Sequence, residues 1–184
     1  MSHHFDGKYE AEIKYHLPDH RVFLSQLLSL NAEPFVVNNE ETDWFFDNPQ
    51  LTLAGKNVSM SVRKMSPSGI QLWIVKGPGA AECKAINIDD HQHVRNMLTT
   101  LGYTCNMILT KTRSIYFLGE IHITLDHLNN IGWFAEFAIM THDESKLAGY
   151  ESELREKAKE FGLTDGMIEK QSYKMLYRRM QAGG

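Results

Sequence analysis

The sequence predicts an α+β domain in which strands outnumber helices and the charged strand faces carry the chemistry. Three observations lead there. Several segments alternate with period two, a few amphipathic stretches interrupt them, and ionisable residues recur at alternate positions inside the strands. Residues 8–15 place Lys8, Glu10, Glu12 and Lys14 on one face and Tyr9, Ala11, Ile13 and Tyr15 on the other. Pro18-Asp19 opens a helix in which Val22, Phe23, Leu27 and Leu30 recur at spacings of three and four, ending near Asn31. Strands are predicted over 35–38, 43–47, 58–65 and 70–76, the last two joined in a hairpin by Ser66-Pro67-Ser68-Gly69. Gly77-Pro78-Gly79 then breaks the chain.

The order recurs after that break. A strand over 82–88 leads to a capping arrangement at Asp89-Asp90-His91-Gln92 and a helix running to Leu101-Gly102. Strands over 107–118, 121–127 and 133–140 follow, the last pair joined around Asn129-Asn130-Ile131-Gly132. Residues 1–184 thus read as one domain with similarly organised halves, about 8–79 and 80–140, followed by C-terminal helices over 141–180. Thr141-His142-Asp143-Glu144 reads as a capping box opening a helix to about Phe161, and residues 172–180 as a short final helix.

Composition narrows the function classes. The chain has 184 residues, 42% of them apolar and 23% charged, enough to bury a core unaided. Its net charge of −4 offers no general attraction to a nucleic-acid backbone or an anionic membrane, so neither is expected as a partner. The apolar runs fall far short of the roughly 20 residues of a membrane helix. The first six residues lack a basic and apolar leader pattern, and two distant cysteines, Cys83 and Cys105, make no disulfide scaffold, so a reducing cytoplasm is the expected location.

The charges within the strands are the most informative feature. They comprise Glu10, Glu12 and Lys14, then Arg63, Lys76, Lys84, Lys111, Arg113, Asp126 and Glu136. Solvated strand faces would account for each one separately, because antiparallel sheets commonly leave one face wet. Lys111 and Arg113 share their face with Leu109 and Ile115, however, and Glu136 shares its face with Phe134 and Ala138. Such mixed faces also suit a water-filled interior, as in a barrel whose walls carry both signs. Six cations fit a polyphosphate, with arginine forking bidentately and lysine acting as a point charge. Four carboxylates fit Mg²⁺ or Mn²⁺, hard ions that take carboxylate and phosphate oxygens together.

Glu10-Ala11-Glu12-Ile13-Lys14 resembles the ExExK pattern that opens the CYTH superfamily, the triphosphate tunnel metalloenzymes. The resemblance continues at Arg63, Lys76-Gly77-Pro78, Lys111-Thr112-Arg113, Leu125-Asp126-His127, Phe134-Ala135-Glu136 and Ser172-Tyr173. Residues 4–10, 68–79 and 113–117 are similar, more specifically, to bacterial class IV adenylyl cyclases. The resemblance implies a closed eight-stranded antiparallel β-barrel with helices outside and the triphosphate of ATP inside. It implies that Glu10, Glu12 and Glu136, with Asp126 as a weaker candidate, hold Mg²⁺ or Mn²⁺. It further implies that Lys14, Arg63, Lys76, Lys111 and Arg113 bind phosphate, with Glu10, Glu12, Lys14 and Glu136 forming the catalytic set, and that the protein is a homodimer. One departure is Glu82-Cys83-Lys84, where many members carry acidic residues; Lys84 stands as a phosphate contact or a solvated side chain, and it leaves the number of metals open.

The implied reaction is attack of the ribose 3′-hydroxyl on the α-phosphorus, giving cyclic AMP and pyrophosphate. Hydrolysis of inorganic or thiamine triphosphate is the competing reading, and a non-catalytic nucleotide sensor a third. Cyclisation requires an adenine pocket, for which Phe5, Val58 and Ser59 are candidate contacts. Among nine histidines no zinc motif stands out, and His122, in phase with Thr124 and Asp126, is the one best placed for the site.

Overall fold

The computed structural model describes residues 3–183. The first strand, β1 (Tyr9–Leu17), is followed by α1 (His20–Ser29), β2 (Glu33–Asp47), a one-turn α2 (Thr52–Gly55), β3 (Ser59–Ser66), β4 (Gln71–Lys76) and β5 (Cys83–Asn87). Next come α3 (His91–Thr100), β6 (Thr104–Leu118), β7 (Ile121–Leu128), β8 (Gly132–Thr141), α4 (Leu147–Glu160) and α5 (Tyr173–Ala182). The eight strands form one antiparallel sheet in the order β1-β8-β7-β6-β2-β3-β4-β5. No helix among the described residues is long and apolar enough to cross a membrane.

The sheet curls but does not close into the barrel expected. Its edge strands β1 and β5 meet at one bridge, Tyr9 to Glu82, flanked by Glu10 N–H donating to Ala81 O (2.8 Å) and Cys83 N–H to Lys8 O (3.1 Å). Farther along, another segment takes the edge of β1. Ile168 bridges Tyr15, and Glu169 N–H donates to Lys14 O at 2.8 Å, so those backbone groups are satisfied without β5.

Period-two alternation sorts β1 as its sequence predicts. Ala11, Ile13, Tyr15 and Leu17 are buried with Phe23 and Leu27 of α1, Phe137 and Ile139 of β8, and Leu154 and Ala158 of α4. The even-numbered residues face the concave side. Deleting a large side chain from this layer costs about 3–5 kcal/mol, so the layer fixes which way Glu10, Glu12 and Lys14 point. A smaller core of Phe46, Met60, Val62 and Leu98 seats α3 on the far flank.

Local details differ in instructive ways. The two short strands expected over 35–38 and 43–47 are one fifteen-residue strand, β2, whose polar centre pairs with β6 through register shifts between Pro34 and Asn39. Asn38 sits at φ 52°, a conformation asparagine tolerates well, and this keeps the bulged strand in the sheet. Asp19 and Asp90 cap α1 and α3 through their carboxylates. Asp143, rather than Thr141, supplies the cap before α4, and it opens a short 3-10 turn over Glu144–Lys146.

Candidate active site

The concave side encloses a cavity of about 1070 Å³. Glu10, Glu12, Lys14, Arg63, Lys76, Lys111, Arg113 and Glu136 all line it, as do Phe5, Ser59 and His122, whereas Val58 does not. The ladders set their neighbours. Lys14 lies opposite Glu136, Arg113 opposite Asp126, Lys111 opposite Glu41, and Arg63 opposite Asp43. Lys76 ends β4 because the chain must turn there. Gly77 has φ 96°, and a β-carbon on it would stand 2.1 Å from Asn57 O, so no other residue fits without moving the backbone.

Two expected members lie elsewhere. Lys84 points to the outer face, 63% of its side chain exposed and paired with Glu82 at 3.5 Å, while Cys83, Ala85 and Asn87 face the cavity. Alternation reverses its side, so it contacts no cavity-bound phosphate. Asp126 is on the concave face but fully buried, covered by Arg113 and Tyr173. Arg113 forks onto both its oxygens at 2.6–2.7 Å, and Tyr173 Oη donates to Oδ2 at 2.8 Å, which leaves no oxygen free to face a metal.

Two carboxylates missed from the sequence, and Tyr173, noted there only as part of the resemblance, complete the constellation. Glu41 and Asp43 are buried carboxylates on β2. Asp43 accepts a bidentate fork from Arg63 at 2.7 and 2.9 Å; Glu41 accepts from Lys111 and forms an ion pair with Arg63 at 3.0 Å. Their i,i+2 spacing with Asn39 was the available signal. The third, Tyr173 at the start of α5, places its ring 4.3 Å from the Lys14 ammonium and 5.4 Å from that of Lys111.

Charge is unevenly compensated. Burial alone would raise the Glu10 carboxyl, but Lys76 at 3.1 Å and His122 at 3.5 Å outweigh it and hold Glu10 well below the ordinary value. Burial likewise opposes ionisation of Glu136, yet Arg113 at 2.6 Å, followed by Lys14, holds it low. Glu12 goes the other way. Enclosure in the cavity, then the neighbouring Glu136, pushes its carboxyl up to about 7, although 31% of the side chain reaches the cavity's water. Lys76 stands 3.9 Å away, nearer to Glu10. Lys14 is the converse case, a buried cation that makes no salt bridge among the described residues.

A family model for the CYTH domain matches residues 8–173. The chain belongs to the CYTH domain family. This CYTH chain is 47% identical over 175 residues to adenylate cyclase CyaB of Aeromonas hydrophila, covering 95% of this chain and 92% of that one. An X-ray structure of a candidate adenylate cyclase from Vibrio parahaemolyticus matches it with a TM-score of 0.92 at 44% identity, covering 94% of this chain and 99% of that one. HpAC1 from Hippeastrum, which has a dominant triphosphatase activity, shares the fold at TM-score 0.65 and 16% identity, over 92% of this chain and 95% of its own.

Members of the CYTH family that are triphosphate tunnel metalloenzymes use divalent metal, and the donors here suit a hard ion. Glu10, Glu12 and Glu136 offer carboxylate oxygens, and the Glu12–Glu136 repulsion is what a bound cation would relieve. Among the described residues no three His, Cys, Asp or Glu side chains converge as a ready-made site.

Proposed function

We propose that this protein is a class IV adenylyl cyclase that converts ATP to 3′,5′-cyclic AMP and pyrophosphate. The observation that carries the reading is the pairing of two incompletely compensated groups in one cavity: Lys14, buried without a salt bridge among the described residues, and Glu12, its carboxyl crowded by Glu136. A polyphosphate carrying a divalent ion satisfies both at once. The nearly full-length likeness to CyaB supports the cyclase over other chemistries of the family.

In this reading Lys14, Arg63, Lys76, Lys111 and Arg113 bind the phosphate oxygens, arginine by its fork and lysine as a point charge. Glu41 and Asp43 hold Arg63 and Lys111 in place before substrate arrives, so little reorganisation remains at the moment of reaction. Glu10, Glu12 and Glu136 would hold Mg²⁺ or Mn²⁺. When bound, that ion supplies Lewis-acid charge next to the phosphates and lowers the pKa of a nearby hydroxyl. The ribose 3′-oxygen forms its bond to the α-phosphorus as the bond to the α,β-bridging oxygen breaks. The hydroxyl proton leaves to solvent and the electron pair leaves with pyrophosphate, whose growing charge the cations neutralise. Homodimerisation and a cytoplasmic location belong to the same proposal and rest on the family resemblance.

The test is product analysis after incubation with ATP and Mg²⁺ or Mn²⁺. Cyclic AMP with pyrophosphate supports the cyclase. ADP with phosphate, or turnover of tripolyphosphate or thiamine triphosphate alone, makes the cavity that of a triphosphatase, the dominant activity of its fold neighbour HpAC1.

A further inference from the structure

Tyr173 lies outside the sheet, at the first turn of α5, yet three contacts turn it inward. Its hydroxyl donates to Asp126 Oδ2 at 2.8 Å, and Asp126 in turn holds the Arg113 guanidinium by both oxygens. Its ring lies under the Lys14 ammonium at 4.3 Å, with Lys111 at 5.4 Å. Phe134 meets the ring edge-on at 5.4 Å and fixes its tilt. The helix start is anchored on both flanks of the cavity, since the adjacent Lys174 donates to Ser59 Oγ of β3 at 3.2 Å. Ser172 caps the helix by accepting from Met175 N–H, which sets the direction of Tyr173.

We propose that Tyr173 is a positioning residue for the triphosphate, its ring holding the Lys14 ammonium in the cavity and its hydroxyl holding the Asp126–Arg113 fork. The inference rests on the reading that these cations bind phosphate, and it adds a residue that carries no phosphate-binding charge. The physical reason is the state of Lys14. A long ammonium side chain with no carboxylate at contact distance samples many rotamers, and ordering it on arrival of the ligand weakens binding. An aromatic face restrains the cation by quadrupole attraction without neutralising it. A carboxylate in that place would compete with phosphate; a tyrosine ring leaves the full positive charge available. The hydroxyl acts similarly on Arg113, because its bond to Asp126 keeps the carboxylate turned toward the guanidinium.

The experiment is calorimetric titration of the full chain with inorganic tripolyphosphate in the absence of divalent metal, on wild type, Tyr173→Phe, Tyr173→Leu, Lys14→Met and the Lys14→Met/Tyr173→Leu double variant. Tyr173→Phe keeps the ring and gives up only the hydroxyl bond to Asp126, so it is expected to bind about threefold more weakly than wild type. Tyr173→Leu is expected to bind at least about tenfold more weakly, the size of a desolvated cation–π contact. In the Lys14→Met background the same change is expected to cost less than about threefold, because the cation it serves is gone. Equal losses in both backgrounds, or a Tyr173→Phe loss as large as that of Tyr173→Leu, overturn the proposal. A wild-type chain that fails to bind tripolyphosphate overturns the phosphate reading itself, and a chain that binds it while the cycle is additive overturns the role of Tyr173 alone. Should Tyr173→Leu fail to fold, the Lys14 ε-methylene proton shifts of the wild type decide. An upfield ring-current shift retained with tripolyphosphate bound supports the proposal, and its absence in the free protein overturns it.

Discussion

Arg113 and Asp126 stand directly opposite one another on β6 and β7, and the guanidinium forks onto the carboxylate with Nε–Oδ1 2.7 Å and Nη2–Oδ2 2.6 Å. The same Nη2 reaches Glu136 Oε2 at 2.6 Å, so a buried pair supports a cavity-lining carboxylate. Removing one partner of such a pair strands the other charge, at a cost of about 3–5 kcal/mol. Asp126→Ala is therefore expected to lower the melting temperature by on the order of 10 °C, as followed by circular dichroism. A shift under about 2 °C would contradict the structural role assigned to the fork.

The metal-free protein should become less stable as pH rises from about 4.5 to about 7. The Glu12 carboxyl is raised from an ordinary 4.5 to about 7, so the folded state binds its proton more tightly than the unfolded chain does. That contribution is complete below the unfolded value and is lost as pH climbs through the folded one. Glu10 and Glu136 are shifted down, so their effect lies below 4.5; His91, held below its ordinary 6.5 by burial, acts in the opposite direction inside the window, and the Glu12 variant isolates the Glu12 part. Glu12→Gln should flatten the slope and raise stability at pH 8 in urea titrations. An unchanged slope sinks the assignment.

Glu12→Ala and Glu136→Ala are expected to abolish metal-dependent turnover with the fold intact, while Lys76→Ala mainly raises KM for the triphosphate. Lys84→Ala should leave kcat and KM unchanged, because Lys84 points away from the cavity. Steady-state kinetics on the four variants separates these cases. Full activity in Glu136→Ala, or a raised KM in Lys84→Ala, would falsify the placement of the site.

Cys83 lines the cavity but should be a poor nucleophile. Burial, then the charge of Glu10, pushes its thiol up to about 11, so little thiolate exists at neutral pH. At pH 7.5, N-ethylmaleimide should label the exposed Cys105 first, and mass spectrometry of the digested protein reads the order directly.

Much of the cavity is legible from alternation in β1, because Ala11, Ile13 and Tyr15 bury so completely that Glu10, Glu12 and Lys14 have only one place to go. Position-by-position phase fails where both faces carry similar residues. On β5, Lys84 and Cys83 differ by one position and face opposite ways, and a five-residue strand offers too few apolar residues to tell which side is inside. Asp43 opens the strand expected over 43–47 and reads there as a solvated position; Glu41 falls in the gap before it. Asn38-Asn39-Glu40 has the composition of a loop, and only pairing with β6 across some 70 residues of sequence makes it a strand. Spacing also cannot separate a metal ligand from a carboxylate spent on an arginine, as at Asp126. Closure depended on Ile168 and Glu169, a segment with no strand-like pattern, occupying the β1 edge.

The single bridge between Tyr9 and Glu82 makes the wall a coiled spring with a seam, not a rigid pipe. Widening the lumen at that seam breaks the Tyr9–Glu82 contact, the two hydrogen bonds beside it and the Lys76–Glu10 ion pair that crosses from β4 to β1, while every ladder that positions Lys14, Arg63, Lys111 and Arg113 stays whole. The cations of the cavity thus sit on ladders that do not depend on that seam, so their spacing is set by the rest of the sheet.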